Sequence, residues 1–251
     1  MTVNPSKTKL ITFNRKLNPV VADYFLDGDR VERCNTIKDL GVLIYSSFEF
    51  GLHISKICAR ASRMLGLVFR SSKHGLNTHA STILYKSLVR QLLEYASVVW
   101  SPYQLCQIHP LQSVQIRFIR FLGCRAGFEF REVPVNEVSP AYGLLSHERR
   151  RRVADCIFLS KLLNNQVSSP FLLESINFRV PARSTRHQRL FEPDHAGTNY
   201  LRFSHIPRLV RFGNDIGSSV DLFVAGLGAV RRAAADESLI SVASSSNVLL
   251  L

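Results

Sequence analysis

Metal-assisted phosphoryl chemistry needs carboxylates in pairs. The 19 acids of this 251-residue chain are spread thinly, and no Asp-Asp pair occurs. Asp27 and Asp29 flank Gly28 in a stretch that reads as a hairpin turn. Glu94 is the single acid of LVRQLLEYASVVWSPY, Leu88 to Tyr103, which also holds the only tryptophan, Trp100. It follows Arg90 by four residues, the spacing of an ion pair on one helix face, and no second acid lies nearby to complete an acid–base couple. Glu94 therefore reads as part of a narrow polar strip. Cys106-x-x-His109 with Cys124 supplies three ligand types for zinc, but no fourth ligand and no repeat of the spacing. His74 and His79 are five apart and fall on different helix faces. There is no glycine-rich phosphate loop and no nucleophile elbow.

The cations carry more information. The net charge is +13 and the pI about 10.0, and most of the 32 cations are arginine. Its planar fork suits phosphate oxygens, so the expected partner is a polyanion, with nucleic acid first. From about residue 52 the sequence has a helical period. Ile54, Ile57, Ala61, Met64, Leu65 and Val68 fall within about 100° of arc, and Lys56, Arg60, Arg63 and Arg70 within about 80° on the opposite side. One face can pack while the other presents four cations. A merely solvated basic face is the competing reading of that spacing.

Five cysteines, an odd number without C-x-x-C, argue against a disulfide framework and suit a reducing intracellular location, nucleus or cytoplasm, rather than secretion. MTVNPSKTKL lacks the apolar core of a signal peptide. No run approaches the 18 or so apolar residues of a membrane span, so no membrane partner is expected.

The elements that must hold these residues follow from the pattern. TKLITF, Thr8 to Phe13, alternates like a half-buried strand. DYFLDGDRVE, Asp23 to Glu32, reads as a hairpin turning at Gly28 and Asp29. DLGVLIY, Asp39 to Tyr45, reads as a strand with Gly41 inside it as a bulge or close approach. Asn77 or Thr78 can cap a largely buried helix that Ser101-Pro102 ends. LQSVQIRFIRFLG, Leu111 to Gly123, forms another helix, and Ser146 caps one running from SHERRRRVADCIFLSKLLNN. The run Arg149 to Arg152 spreads around that helix, so at least one of the four must approach its packed side. After Asn165 the prolines and basic residues read as an extended segment, with a short helix resuming over Val220–Ala235 and a loose tail.

These residues resemble the reverse transcriptases of non-LTR, LINE-type retrotransposons of the jockey and R-element kind. NPSKTKLITF, Asn4 to Phe13, is similar to a late palm strand of that family. IKDLGVLIYSSFEFGLHI, Ile37 to Ile54, is similar to its Leu-Gly-Val primer-grip strand and the start of its thumb, which makes Leu40, Gly41 and Val42 primer-grip-like. LYKSLVRQLLEYASVVWSPY, Leu84 to Tyr103, is similar to its thumb helix and is the most specific part. VQIRFIRFLGC, LLSHERRR, ARSTRHQRLF and TNY extend the resemblance over roughly residues 3 to 225. It implies that Glu94 and Trp100 are framework of a thumb and do no chemistry. It places the catalytic Phe/Tyr-x-Asp-Asp turn, which would hold Mg²⁺, before Asn4. Tyr45-Ser46-Ser47 stands where the family often has an acid.

The expected fold is α+β and mostly α: a small antiparallel β palm remnant over 1–50, a helical thumb-like bundle over 51–165, a basic extended connection over 166–235, and a flexible tail over 236–251. The expected function is gripping a primer-template duplex of RNA or DNA without regard to sequence, with no catalytic residues, no cofactor of its own, and the missing polymerase portion as a further partner. A structural or protein-interaction module from a decayed element is the alternative. A nuclease would need clustered metal-binding acids, which the sequence does not offer.

Overall fold

The computed structural model describes residues 4, 7–14, 21–73, 75–180 and 189–236. It is mostly helical with a few short strands, an α+β chain dominated by α. Two compact units are formed, one by the described residues of Met1–Ala96 and Gln104–Arg131, the other by those of Ser97–Tyr103 and Glu132–Leu251. The β region and the first long helices thus share a unit. The Ser146-capped helix belongs with the C-terminal region, so the division does not fall at residue 165.

In the first unit, β1 (Lys9–Leu10) pairs with β4 (Glu32–Arg33) in parallel, Lys9 opposite Glu32, whereas only antiparallel pairing was expected. Arg33 reinforces this junction, donating to Thr12 Oγ1 and to the Ala22 carbonyl. β2 (Phe25–Leu26) and β3 (Asp29–Arg30) form the expected hairpin, with Asp27 and Gly28 as its two turn residues. Their φ values of 54° and 91° are those of the primed turns that match strand twist.

DLGVLIY departs from expectation. Instead of one strand with an internal glycine, it is the second half of a hairpin. β5 (Thr36–Asp39) runs antiparallel to β6 (Val42–Tyr45), and Leu40 and Gly41 are the turn, at φ 43° and 90°. A leucine in the left-handed region is uncommon, which is why the turn does not announce itself in the sequence.

The long helix α1 (Gly51–Lys73) forms as its period requires. Ile54, Cys58, Ala61, Leu65 and Val68 are buried, and Arg70 and Lys73 in the last turn suit the negative end of the dipole. Asn77 caps α2 (Thr78–Leu84), its Oδ1 accepting from the Ala80 N–H at 2.8 Å. The helix then widens into a π turn, Tyr85–Arg90, before α3 (Gln91–Glu94). Tyr85 is fully buried there and stacks on Phe118, with centroids 4.2 Å apart.

A single helix to Ser101 was expected, but the chain breaks at Tyr95–Ala96, where Ala96 has φ 52°, and resumes as α4 (Ser97–Trp100). No glycine or proline marks this break. The helix is also less buried than its composition suggested, since Ile83, Leu88 and Tyr95 are exposed.

Helix α5 (Leu105–Arg125) begins earlier than expected and runs through Pro110. It packs along α1, burying Leu111, Val114, Phe118, Ile119 and Leu122. At its end Arg125 donates to the carbonyls of Ser72, at 2.7 Å, and Leu76. These lie at and beyond the last turn of α1, where carbonyls lack intrahelical donors.

The second unit holds α4 with α6 (Val135–Ala141), α7 (His147–Leu163), α8 (Pro170–Glu174), α9 (Asn199–Arg202), α10 (His205–Ile216) and α11 (Leu227–Ala235). The described part of 166–235 is therefore not simply an extended connection. Ser146 caps α7 as expected, accepting from the Arg149 N–H at 3.3 Å. Helices α10 and α11 lie against α7 around Cys156, Leu159, Leu162, Phe191, Leu209, Ile216 and Val230. Phe191 is anchored by a reciprocal pair of 2.9 Å hydrogen bonds between its backbone and the Asn214 amide. Residues 181–188 of the basic segment, and the tail beyond 236, lie outside the described residues.

Candidate nucleic-acid interface

Helix α1 sets out the first candidate surface. Lys56, Arg60, Arg63 and Arg70 are all exposed, opposite the buried face. None makes an ion pair with a carboxylate among the described residues, so their charge is not neutralised there. Leu67, 40% exposed, lies within the same arc. The neighbouring Arg117, on α5, donates from Nη2 to Ser62 Oγ at 2.6 Å and is tied to the helix packing.

The primer-grip-like residues sit at the β5–β6 turn. Leu40 is 83% exposed at the tip, while Val42 is buried. Two contacts fix the hairpin to the helices. The Tyr95 hydroxyl donates to the Leu40 carbonyl at 2.9 Å, and the Leu43 N–H donates to His53 Nδ1 at 3.3 Å. Burial holds the His53 imidazole below the usual histidine range, consistent with a neutral acceptor nitrogen.

Glu94 pairs with Arg90 at 3.9 Å, each about one-fifth exposed, as the spacing required. Trp100, 1% exposed, lies on α4, which packs against α7. Among the described residues no three His, Cys, Asp or Glu side chains come together to hold a metal ion. Cys106, His109 and Cys124 are exposed and form no such group. Burial pushes the Cys58 thiol up to about 11 and Cys156 to about 12, so both are inert thiols. His74 lies outside the described residues. No helix among the described residues is long and apolar enough to cross a membrane.

The second unit holds charged groups that sequence reasoning missed as a set. Arg151 and Arg152 are both buried on α7, satisfying the requirement that the arginine run approach the packed side. Arg152 meets Asp215 at 3.5 Å, and Arg208 holds Asp155 through two hydrogen bonds. Burial raises the Asp215 carboxyl, and the Arg152 charge opposes it. Arg211 lies 4.9 Å from the Phe203 ring centroid and 5.4 Å from that of Phe212. The available signal was Ser204 before a run with Pro207 in its first turn, a legitimate helix start.

Comparison with protein-family models, with curated proteins and with solved structures finds no match.

Proposed function

We propose that the chain is a nucleic-acid-gripping part of a non-LTR retrotransposon reverse transcriptase, with α1 laid along the phosphate backbone of a primer-template duplex. The observation that carries this reading is the row of exposed cations Lys56, Arg60, Arg63 and Arg70, unmatched by carboxylates among the described residues and opposite a packed face. The resemblance of Ile37–Ile54 and Leu84–Tyr103 to a primer grip and thumb adds the kind of duplex. Gripping is the whole of the proposed role, because polymerisation needs paired aspartates on metal ions and the chain has no Asp-Asp. On this reading Leu40, Gly41 and Val42 form the primer-grip-like tip beside the duplex, and a catalytic polymerase portion is a further partner.

Phosphate contacts carry little sequence information, so binding should be nearly indifferent to sequence. Changing all four cations to glutamine should weaken binding to two unrelated duplexes alike. It should also flatten the slope of log K against log salt by up to about 3–4 units. Fluorescence anisotropy over a salt series measures both, and an unchanged slope would remove α1 from the interface. A protein-interaction module is the competing reading, favoured by exposed Ile83, Leu88 and Tyr95. It predicts binding to a protein at high salt and no salt-steep affinity for duplexes.

A further inference from the structure

We propose that Phe13 and Phe48 form a stacking platform for an unpaired nucleobase at the start of α1, where the cationic row begins. The site then takes a duplex with a single-stranded extension. This rests on the α1 reading and adds a second kind of contact to it. The two rings lie 4.1 Å apart and 22° from parallel, yet Phe13 is 43% and Phe48 41% exposed. The rings are paired with each other and still face water. Backbone hydrogen bonds set them there. The Asn14 N–H donates to the Ser46 carbonyl at 3.0 Å, and the Phe48 N–H closes a turn on the Tyr45 carbonyl at 2.9 Å. Phe48 has φ 56°, in the left-handed region that a bulky residue rarely takes. Strain of this kind gathers at ligand-binding sites.

The neighbouring charge selects the occupant. α1 begins at Gly51, three residues after Phe48. Leu52, 55% exposed, shares about 80° of the helix circumference with Lys56, Arg60, Arg63 and Arg70. At 1.5 Å per residue Lys56 stands about 7.5 Å along the axis from Gly51, and Arg70 about 21 Å beyond Lys56, the length of about six base pairs. A nucleic acid laid along this row therefore has a strand end or junction close to the two rings. A base released from its pair offers a flat face to an exposed ring, and every base has such a face, so the contact tolerates any sequence. Glu49, exposed beside Phe48, repels phosphate at the platform itself, so the contact there is with a base. An acidic protein segment would meet the same repulsion.

The test uses the whole chain and a duplex of about ten base pairs, longer than the cationic row. It carries an extension of about four thymidines, made once as a 3′ and once as a 5′ extension, against matching abasic extensions. In fluorescence anisotropy at one salt concentration, at least one thymidine extension should bind roughly five- to hundredfold tighter than its abasic counterpart. Phe48→Gly removes the ring where glycine takes the backbone conformation freely, and should bring this preference within about twofold. Phe13→Leu, which keeps apolar bulk, should reduce it as well, and Phe48→Tyr should retain it. Equal binding of thymidine and abasic extensions in both polarities by the unaltered protein overturns the platform, whatever the variants do to folding. So does an undiminished preference in a Phe48→Gly protein with a native circular dichroism spectrum. The α1 reading is judged by a different readout, the salt slope of the fourfold glutamine variant on the blunt duplex, which has no extension. Either reading can therefore fail while the other stands, and absence of binding to every one of these strands overturns both.

Discussion

Arg208 grips both carboxylate oxygens of Asp155, its Nε 2.9 Å from Oδ2 and its Nη2 3.3 Å from Oδ1, with both side chains almost wholly out of solvent. The same guanidinium donates to the carbonyls of Val98 and Phe203. One arginine therefore ties α10 to α7, to α4 and to the end of α9. Burying this pair is costly, and the additional hydrogen bonds offset part of that cost.

Removing one member alone strands the other. Asp155→Leu should destabilise the fold by about 3–5 kcal/mol, and Arg208→Met similarly, because each leaves a buried uncompensated group. The double variant Asp155→Leu with Arg208→Met should cost much less than the sum. Urea denaturation of the four proteins measures this coupling. Additive costs would mean that the two side chains do not act as a pair.

His205 makes stability depend on pH. Burial, and then the Arg208 charge, hold its imidazole down at about 4, against about 6.5 when unfolded. Between those values the unfolded chain binds a proton that the folded chain does not, so stability rises with pH across that window. Acidification from pH 7 to pH 4 should cost on the order of 2–3 kcal/mol through this group. Burial raises the carboxyls of Asp155 and Asp215, and a raised carboxyl contributes to the pH dependence with the opposite sign. The relevant quantity is therefore the difference between the unaltered protein and His205→Phe, which keeps a ring beside Phe158. Thermal melts at pH 4, 5, 6 and 7 should show the variant losing less on acidification. Parallel pH profiles would remove His205 as the cause.

Trp100 and Glu94 stand six residues apart and should behave very differently. Trp100 is 1% exposed, so Trp100→Ala should cost roughly 3–5 kcal/mol. Glu94 faces Arg90 at 3.9 Å on a partly solvated strip, and Glu94→Ala should cost roughly 0–1 kcal/mol. Denaturant melts compare them directly, and equal damage would contradict the packing account.

The features legible in the sequence were those set by local period. Helix α1 has 23 residues with a clear division between apolar and cationic faces, so its buried side and the exposure of its four cations could be placed in advance. The Asn77 and Ser146 caps are short-range chemistry and were equally legible. Helix α10 was not, because Pro207 and Gly213 look like breakers. Pro207 falls in the first turn, where its missing N–H costs nothing. Gly213 is required by packing, since a Cβ there would come within 2.6 Å of Leu159 Cδ2 and 2.8 Å of Phe191 Cε2. The Asp155–Arg208 pair joins residues 53 apart, and no local pattern announces it. The Leu40–Gly41 turn was hidden because leucine rarely takes positive φ.

That turn gives the last prediction. Gly41 has φ 90°, and a Cβ there would lie 3.6 Å from the Tyr95 ring, an ordinary contact. The cost of Gly41→Val therefore comes from the backbone, about 1–3 kcal/mol for a β-branched residue held in the left-handed region. Tyr95→Phe removes the hydrogen bond to the Leu40 carbonyl and should cost about 0.5–1 kcal/mol, at the low end because the tyrosine is exposed. Both changes should speed amide exchange across Thr36–Tyr45 while leaving α1 protected, since α1 is held by α5 and its own buried face. Exchange that stays unchanged in Gly41→Val would mean that the hairpin does not depend on this turn. On the proposed reading these variants should lower duplex affinity by loosening the hairpin tip, yet keep the slope of log K against log salt. The phosphate contacts assigned to Lys56, Arg60, Arg63 and Arg70 are untouched by them. A flattened slope in either variant would move phosphate contacts from α1 to the hairpin.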